Sequence, residues 1–515
     1  MNNSVSPVSK SETILIQYVW TISSNRSYLL WAIGLCIGQF AIFKVSYPYP
    51  DFFSDSYSYL FGAYAHLNIN IWPIGYSKFL ALFHHLTYSD TALVGFQYFF
   101  MQAAALYLFF TTLYFFNLSR WSQKLLFIFL FANPLTLYLC NTVNSDALFG
   151  ALSIIWFTEL LWIIRLPKFY NVFTQALLIF LCFTVRNNAY YYPIISTLVF
   201  LLSRYNLKTK ILGITMPLLL ITTFILYTRN EAYNLTGARQ FSLFTGWQLA
   251  NNALYFYDKV NVDSATLPTA ESKRLNQISI DFFKHIEPDG YHSQLESFGG
   301  NFFLRYPRSP LKKYLALNYP LNSNMEEVKS WGKAAIVYES FGKVLIIHHP
   351  IAYFRYFVLP NVWHYFFPPL LHLAQYNYGS TKIDPIAKFW FHYPSTTVHC
   401  ISADLQQFLL IYTALFFLVN VYFVWNSIRY FRNFKSFSAQ DRIHPSIWIA
   451  VLFLFCNFIF SIFVTVNIIR YQYIPMFILL TFCCIVNDYL KSNGALNKSD
   501  GTTIEKQQFS LGRSM

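Results

Sequence analysis

The sequence predicts an all-α, polytopic membrane protein of about ten transmembrane helices, with interfacial helices and a small extramembrane subdomain on the extracytoplasmic side. Of its 515 residues, 55% are hydrophobic and only 12% are charged, whereas an ordinary soluble domain carries about 25% charged residues. Apolar runs of membrane-spanning length recur along the chain, and basic residues fall in alternate connections between them. Lipid is therefore expected to be the main solvent of this chain.

Ten apolar segments reach or approach the length of about 20 residues that a membrane-spanning helix needs. Only two residues separate the fifth segment from the sixth, so one broken helix is an alternative to two spans at that point. The predicted spans are 27–43, 91–116, 122–140, 146–164, 171–186, 189–203, 211–228, 406–428, 446–466 and 470–488.

The positions of the basic residues predict the orientation of these spans. Cytoplasmic connections of membrane proteins are enriched in Lys and Arg, whereas the short connection 141–145 contains neither. The net charge of +14 is explained by this pattern, so nucleic acid is not an expected partner. With the N-terminus in the cytoplasm, the inner connections and the tail carry Arg120, Lys124, Arg165, Lys168, Arg204, Lys208, Lys210, Arg429, Arg432, Lys435, Arg442, Lys491, Lys498, Lys506 and Arg513.

Two long segments lie on the predicted outer face. The first outer loop, 44–90, contains two short aromatic helices, one over 56–67 and one after Pro73, that are too short to span and are expected in the membrane surface. The second segment is polar at first and aromatic later. The predicted divisions are a cytoplasmic segment 1–26, a membrane core 27–228, an extracytoplasmic region 229–405 with surface helices, C-terminal spans 406–490, and a cytoplasmic tail 491–515 without ordered structure.

Ionisable and polar residues recur at helix ends on the predicted outer face. Burying a charge at a membrane is expensive, so charged residues in such positions are candidates for function. Two guanidiniums and two or three carboxylates are expected to meet at one level of the bilayer. The candidates are Asp51 and Asp55 in the first outer loop, Asp146 at the start of the fourth span, Arg186 at the end of the fifth, and Arg470 with Tyr471 at the start of the last.

This combination of side chains suits transfer of a group from a phosphate. A carboxylate can deprotonate a hydroxyl or amine acceptor, and an arginine can bind a phosphate bidentately and stabilise its charge as it leaves. These are the minimum requirements for moving a sugar from a lipid-phosphate carrier to an acceptor, with the lipid tail among the aromatic helices.

Each candidate also has a structural interpretation. Asp55 and Asp146 are placed to cap the helices that follow them. Asp51 follows a proline and suits a turn, and Arg186 and Arg470 could extend towards phospholipid headgroups. The histidines show no metal-binding spacing, so no metal site or cofactor is predicted, with a divalent cation as the alternative.

Several short motifs resemble those of the GT-C glycosyltransferases, in particular the bacterial branch related to protein mannosyltransferases and to the aminoarabinose transferase of lipid A. FSDSYSY at 53–59, followed by WPIGY at 72–76, is similar to the first outer loop of that branch. NSDAL at 144–148 adds to the resemblance, as do Arg186 followed by Pro193 and Arg470-Tyr471 followed by Pro475. The resemblance covers 27–228 and the final spans, whereas the segment 229–345 resembles no family motif.

The resemblance implies that Asp55 is the catalytic base. From the predicted outer-face cluster we expect Arg186 or Arg470 to hold the donor phosphate and Asp146 to orient the site or contribute to acceptor binding. The expected substrate-binding residues are Asp51, Tyr57, Asp146, Arg186, Arg470 and Tyr471. The resemblance also implies a polyprenyl-phosphate-linked sugar as donor and a lipid, glycan or protein as acceptor. The active face would be the extracytoplasmic or periplasmic side of the plasma (inner) membrane. Ser56 stands where the family usually has a second acidic residue, which leaves the subfamily and any metal requirement open.

Three alternatives remain at this stage. A surface-polysaccharide polymerase or ligase also combines many spans with a large outer region. A transporter or lipid flippase would need polar residues deep within several spans and usually has repeated halves, whereas Glu159 is the one prominent mid-span charge and no repeat is evident. A non-enzymatic scaffold is the third alternative.

Overall fold

The computed structural model describes residues 14–286, 300–434 and 443–511, so that Lys435, Arg442 and Arg513 lie outside the described residues. Within these ranges the chain is helical, and the only extended pairings are two isolated backbone bridges. The all-α, polytopic membrane class predicted from the sequence is confirmed.

Twelve helices form the first half of the chain. They are α1 (Leu15–Thr21), α2 (Ser23–Ser46), α3 (Ser54–Tyr64), α4 (Gly75–His84), α5 (Asp90–Phe115), α6 (Arg120–Phe131), α7 (Pro134–Cys140), α8 (Ser145–Arg165), α9 (Tyr170–Val185), α10 (Tyr192–Leu202), α11 (Leu207–Thr236) and α12 (Thr245–Leu254).

The described part of the second half continues with shorter helices and then returns to long ones. They are α13 (Ala270–His285), α14 (Phe302–Arg305), α15 (Pro310–Asn318), α16 (Asn324–His348), α17 (Pro350–Tyr353), α18 (Leu359–Phe366), α19 (Pro385–Trp390), α20 (Leu410–Arg432), α21 (Ile443–Phe463) and α22 (Tyr473–Leu511). Short 3₁₀ turns occur at Asn187–Tyr191, Tyr257–Lys259, Ser264–Thr266, Leu371–Ala374, Tyr376–Gly379, Asp404–Leu409 and Ile469–Tyr471, and a π turn at Phe354–Val358.

Eight segments among the described residues are long and apolar enough to cross a membrane. The other two predicted spans are the shorter helices α9, with 16 residues, and α10, with 11 residues. Gln175 of α9 donates to the Ser196 hydroxyl of α10 at 2.8 Å, so α10 folds back along α9 and the pair is not one broken helix. The eight segments are Ser23–Ser46, Asp90–Phe115, Arg120–Cys140, Ser145–Arg165, Leu207–Thr236, Asp404–Arg432, Ile443–Phe463 and Tyr473–Asn493.

Helices α8 and α22 form the centre of the bundle. The apolar windows of these two spans are 89% and 83% buried, against 17% for α2 and 22% for α11, whose apolar faces are left for lipid. In α8, Glu159 accepts hydrogen bonds from Tyr107 at 2.8 Å and from Asn171 at 2.7 Å. The mid-span carboxyl of Glu159 is thus engaged in helix packing.

The first outer loop contains the two short helices that the sequence predicts, α3 and α4. They pack together, and glycine is needed where they approach their neighbours. A Cβ added at Gly62 would lie 2.6 Å from Asn70 Nδ2, and one at Gly75 would lie 2.6 Å from the Thr184 backbone. The contact at Gly75 sets α4 against the end of α9, and α3 packs on α4.

The region 229–405, predicted to be extracytoplasmic and called the outer region below, folds around α12 and α16. The Trp247 and Trp331 rings stack with centroids 3.9 Å apart, and Lys312 Nζ lies 4.2 Å from the Trp331 centroid. A Cβ at Gly342 would lie 2.5 Å from the Leu249 backbone, so the close approach of α12 and α16 at this position requires glycine. Further along, α18 packs against α21, which connects this region to the C-terminal spans.

The last helix differs from the sequence expectation. We expect 491–515 to lack ordered structure, but α22 continues to Leu511. Adding residues to an existing helix avoids the unfavourable nucleation step, which accounts for helix in a polar segment.

Candidate functional site

Three charged side chains from separate parts of the sequence meet in the structure. The Asp146 carboxylate forms an ion pair with Arg186 through Oδ1 and accepts a hydrogen bond from Arg470 Nη1 at 2.8 Å through Oδ2. The side chains of Asp146 and Arg470 are only 4% and 3% exposed. One carboxylate therefore binds two guanidiniums, which compensates charges that would be costly to bury alone.

Helix ends bring this group together. Asp146 lies in the first turn of α8, whose N-cap is Asn144, and a carboxylate in a first turn is favoured by the helix dipole. Arg186 ends α9, where the chain passes into the 3₁₀ turn.

The N-cap of α3 is Phe53, the residue directly before the first helical residue, Ser54. The interpretation of Asp55 and Asp146 as N-caps is therefore wrong.

Arg470 is positioned by a network of buried amides on both sides of its 3₁₀ turn. Asn467 Nδ2 donates to the Asn361 carbonyl at 3.2 Å, and Gln472 Nε2 donates to Asn467 Oδ1 at 3.3 Å. Asn467 and Gln472 are fully buried. Because the Arg470 side chain is only 3% exposed and pairs with Asp146, its interpretation as a headgroup-seeking side chain is wrong.

Asp55 lies on the accessible side of the group. Its Oδ2 atom is 3.6 Å from Arg470 Nη2, and its side chain is 19% exposed, against 4% for Asp146. Ser56 Oγ accepts the Phe53 N–H at 2.9 Å and so stabilises the first turn of α3 in place of Asp55. The Asp55 carboxylate is thereby oriented by one guanidinium and still open to a ligand.

Aromatic rings border the two guanidiniums. Arg470 Cζ lies 5.3 Å from the Phe53 centroid, and Arg186 Cζ lies 4.6 Å from that of Tyr471. Arg470 Nη2 also donates to the Tyr471 hydroxyl at 3.2 Å. Ring faces stabilise cations, but Arg470 Nε has no hydrogen-bond acceptor among the described residues. Arg470 therefore keeps one buried N–H donor that these contacts do not satisfy.

Asp51 does not join the guanidiniums and instead connects three segments. Its N–H donates to the Asn141 carbonyl at 2.9 Å, and its carbonyl accepts the Val143 N–H at 3.1 Å. Its Oδ1 accepts the Asn377 N–H at 2.9 Å. Burial raises the pKa of Asp51 from 3.8 to about 7, although the Asn377 hydrogen bond opposes this shift. A substrate-binding role for Asp51 remains a prediction.

The first outer loop makes a second connection through its tyrosines. Tyr57 stacks on Phe52, with centroids 5.9 Å apart, and none of the ring contacts or hydrogen bonds described for it involves a guanidinium, so its role in substrate binding also remains a prediction. Tyr59 shares a hydrogen bond of 3.0 Å with Ser145, the neighbour of Asp146. Helix α3, which carries Asp55, is thus bonded directly to the start of α8.

A third guanidinium, which sequence reasoning missed, reaches this group from the outer region. Arg305 Nη2 contacts Nε2 of His372, and the His372 ring lies 4.7 Å from the Phe53 ring, centroid to centroid. Burial, with Arg470 and Arg305 nearby, lowers the pKa of His372 well below its usual value. The imidazole is therefore neutral, so it can accept a hydrogen bond from Arg305, and its Nδ1 shares a hydrogen bond of 2.6 Å with the Tyr378 hydroxyl.

The local sequence around these residues carries little signal. Arg305 follows FFL in a four-residue helix, and His372 is one of several outer histidines without metal-binding spacing. The backbone of Asn377 and Tyr378 lies in the left-handed region, with φ of 46° and 54°, a conformation that is costly for tyrosine and recurs at functional sites. This backbone conformation is visible only in the folded chain.

The charges of the group are unequal. Within the described part of the chain, the guanidiniums of Arg186 and Arg470 pair with the carboxylates of Asp146 and Asp55, and the guanidinium of Arg305 lies against neutral His372. An anion would balance the remaining positive charge, and arginine is well suited to phosphate. No three His, Cys, Asp or Glu side chains among the described residues gather as metal ligands, so the divalent cation remains an open prediction.

Comparison with family models, with curated proteins and with solved structures finds no match to this chain. The resemblance to GT-C glycosyltransferases therefore rests on the short motifs and on their order along the chain.

Proposed function

We propose that this protein is a membrane-embedded, inverting glycosyltransferase that moves a sugar from a polyprenyl-phosphate donor to an extracytoplasmic acceptor. The acceptor is a lipid, a glycan or a protein, and the membrane is the plasma (inner) membrane. One observation carries the proposal. Asp55, oriented by Arg470 and still accessible, lies at the edge of a buried group that has an excess of guanidinium charge.

In the proposed reaction, Asp55 takes the proton of the acceptor hydroxyl or amine. The acceptor atom attacks the anomeric carbon of the donor sugar as the bond from that carbon to the phosphate oxygen breaks. The phosphate leaves with the bonding electron pair and gains negative charge, which the arginines stabilise. A single displacement from the side opposite the leaving phosphate inverts the anomeric centre.

The arginines have different parts in this proposal. Arg186 and Arg470 share Asp146, which sets their positions. Arg305 contacts only neutral His372 among the partners described for it, so it is the guanidinium with most charge left for the leaving phosphate. Asp146 is a positioning residue.

The transporter alternative has less support. The ionic group lies at the beginning of α8 and the end of α9, on one side of the bundle. The mid-span carboxyl of Glu159 accepts two hydrogen bonds within the bundle. A polysaccharide polymerase or ligase would use the same carrier phosphate, and its products would distinguish it.

The test is mass spectrometry of envelope glycans and glycolipids. Cells would carry the wild-type protein, no protein, Asp55→Asn, or the control Asp258→Asn, at matched membrane levels. Asp258 pairs with Lys259 on the exposed surface, outside the site. We expect a sugar-sized mass to disappear in the null strain and in Asp55→Asn, and to persist with Asp258→Asn.

Two other outcomes would count against the proposal. If the null strain loses the sugar and Asp55→Asn does not, Asp55 is not the base. If none of the four profiles differs, transport or scaffolding explains the protein better than transfer.

A further inference from the structure

A continuous helical run over 350–366, called the surface run below, lies at the end of the bundle that carries the ionic group. It consists of α17, the π turn and α18. The backbone carbonyl of Asn361, within the run, accepts a hydrogen bond from Asn467 Nδ2 at 3.2 Å. Just beyond the run, the Pro369 carbonyl accepts the Ile469 N–H at 3.1 Å. The surface run is therefore bonded to the segment that carries Arg470.

The surface run is apolar on two sides, although only one of them is buried. Phe357 and Val358, on the buried side, are at most 1% exposed. A helix that is apolar all round is stable where it is covered on every side, so water is a poor solvent for the other side. That side carries four large apolar side chains, called the apolar stripe below: Ile351 at 82% exposed, Phe354 at 49%, Leu359 at 49% and Trp363 at 63%.

The π turn keeps the apolar stripe on one side of the run. Phe354 and Leu359 are five residues apart, and in a regular α-helix that spacing would place them roughly 140° apart around the axis. The π turn spans this interval, from Phe354 to Val358. Because its hydrogen bonds reach the fifth residue, the turn is wider, and five residues come close to one full turn. Leu359 thus returns to the side of Phe354.

The ends of two apolar spans adjoin the surface run. The Tyr353 hydroxyl donates to the carbonyl of Phe463, the last residue of α21. Just beyond the run, the Phe367 ring stacks on Phe417 of α20, with centroids 4.3 Å apart. The apolar window of the span that contains α20 is only 28% buried, so lipid is expected to cover most of that helix. The apolar stripe therefore continues an apolar surface that lipid already covers.

Two side chains of the run suit the boundary between lipid and water. Arg355 is exposed beside Phe354, and none of the ion pairs described for the chain includes it. Its stem can lie along apolar surface while the guanidinium reaches the headgroup phosphates. Tryptophan, as at Trp363, is enriched at the same boundary, because its ring is apolar and its N–H is polar.

We propose that the apolar stripe inserts into the lipid leaflet on the side of the ionic group, so that the surface run lies in the plane of the membrane with Arg355 at the headgroups. A lipid surface is favoured over a second copy of the chain, because the stripe adjoins the ends of α20 and α21. The inference goes beyond the proposed function and does not depend on it. It also gives the turn with His372, which follows the run, a fixed position relative to the bilayer.

The test is power-saturation electron paramagnetic resonance of nitroxide labels on the full-length protein in phosphatidylcholine nanodiscs. Labels are attached at Ile351→Cys and Trp363→Cys. Lys273→Cys is the control, because Lys273 is exposed on the polar helix α13. All three variants also carry Cys400→Ser and Cys456→Ser, which leaves only buried native cysteines. Molecular oxygen and a water-soluble nickel chelate are the two relaxing agents.

We expect oxygen to relax the labels at 351 and 363 more strongly than the nickel chelate does, by about threefold or more, because a polar chelate is excluded from hydrocarbon. The order should reverse at 273. Melting temperatures check that each labelled protein is folded, and Phe354→Cys replaces either stripe variant that melts lower than the control.

Two other outcomes would overturn the proposal. If the nickel chelate relaxes both stripe labels as strongly as the label at 273, water covers the stripe. If neither agent reaches the stripe labels, a protein surface covers it, such as a second copy of the chain. The labels report position without any need for sugar transfer, so this result and the glycan profiles above can fail separately.

Discussion

Asp55 Oδ2 lies 3.6 Å from Arg470 Nη2, although the two residues come from the first outer loop and the turn before the last helix. The contact joins an accessible carboxylate to a buried guanidinium that Asp146 already orients. The carboxylate is thereby held at the edge of the buried group, where an acceptor hydroxyl or amine could reach it.

Substitution of Asp146 should mainly lower stability, whereas substitution of Asp55 should mainly lower activity. Asp146→Asn leaves two buried guanidiniums without their shared partner, and we expect a loss of about 3–5 kcal/mol in the free energy of unfolding. Asp55→Asn should change stability much less, because its side chain is partly exposed, while abolishing transfer. Thermal unfolding of both variants in nanodiscs, with Asp258→Asn as control, checks this. Equal losses of stability would contradict the division of roles.

Arg305 should matter for transfer and not for folding. Arg305→Gln removes a charged donor near the site, so we expect transfer to fall by about 10-fold to 100-fold, as for the loss of a hydrogen bond to a charged group. Sugar incorporation per amount of protein in isolated membranes measures this. Arg308→Gln is the control, because Arg308 is exposed three residues later. Wild-type incorporation by Arg305→Gln would remove Arg305 from the proposed site.

The buried carboxyl of Asp51 should make stability depend on pH. Its pKa is raised from 3.8 to about 7 in the folded chain, so the folded state keeps a proton that the unfolded state has released. Stability from this group is therefore fully present below about pH 4 and is lost as the pH rises to about 7.

Asp51→Asn mimics the protonated carboxyl and should lack this loss. We expect it to match the wild type near pH 4 and to be more stable at pH 8, by at most about 4 kcal/mol for a shift of about three pKa units. Melting temperatures of both proteins at intervals from pH 4 to pH 8 measure the difference. A difference that stays constant across this range would show that Asp51 does not titrate as proposed.

The outer region should be sensitive to one methyl group at Gly342. A Cβ there would lie 2.5 Å from the Leu249 backbone and 2.7 Å from the Ala250 nitrogen, and overpacking of this kind costs about 1–3 kcal/mol. Gly38→Ala is the control, because a Cβ at Gly38 meets nothing within 4 Å. We expect a lower melting temperature for Gly342→Ala alone. If both variants melted like the wild type, α12 and α16 would not pack as described.

Several features of the site follow from the sequence because they depend on position relative to the bilayer. Asp55, Asp146, Arg186 and Arg470 all lie at ends of apolar or interfacial segments, and alternation of basic residues predicts that these ends share one face. The structure brings the four together. Arg305 has no such marker, because it reaches the group through folding of the outer region.

The sequence by itself determined the membrane class, the position of the long helices and the charged residues at their ends. Lipid solvates apolar runs wherever they occur, so these features depend on local composition. Only the tertiary structure decided that Asp146 binds both arginines, that Asp51 bonds to Asn377, and that Arg305 contacts His372. These contacts depend on packing between segments that are far apart in the chain. A buried polar group must be hydrogen-bonded, and its partner is the group that the fold brings within hydrogen-bond distance.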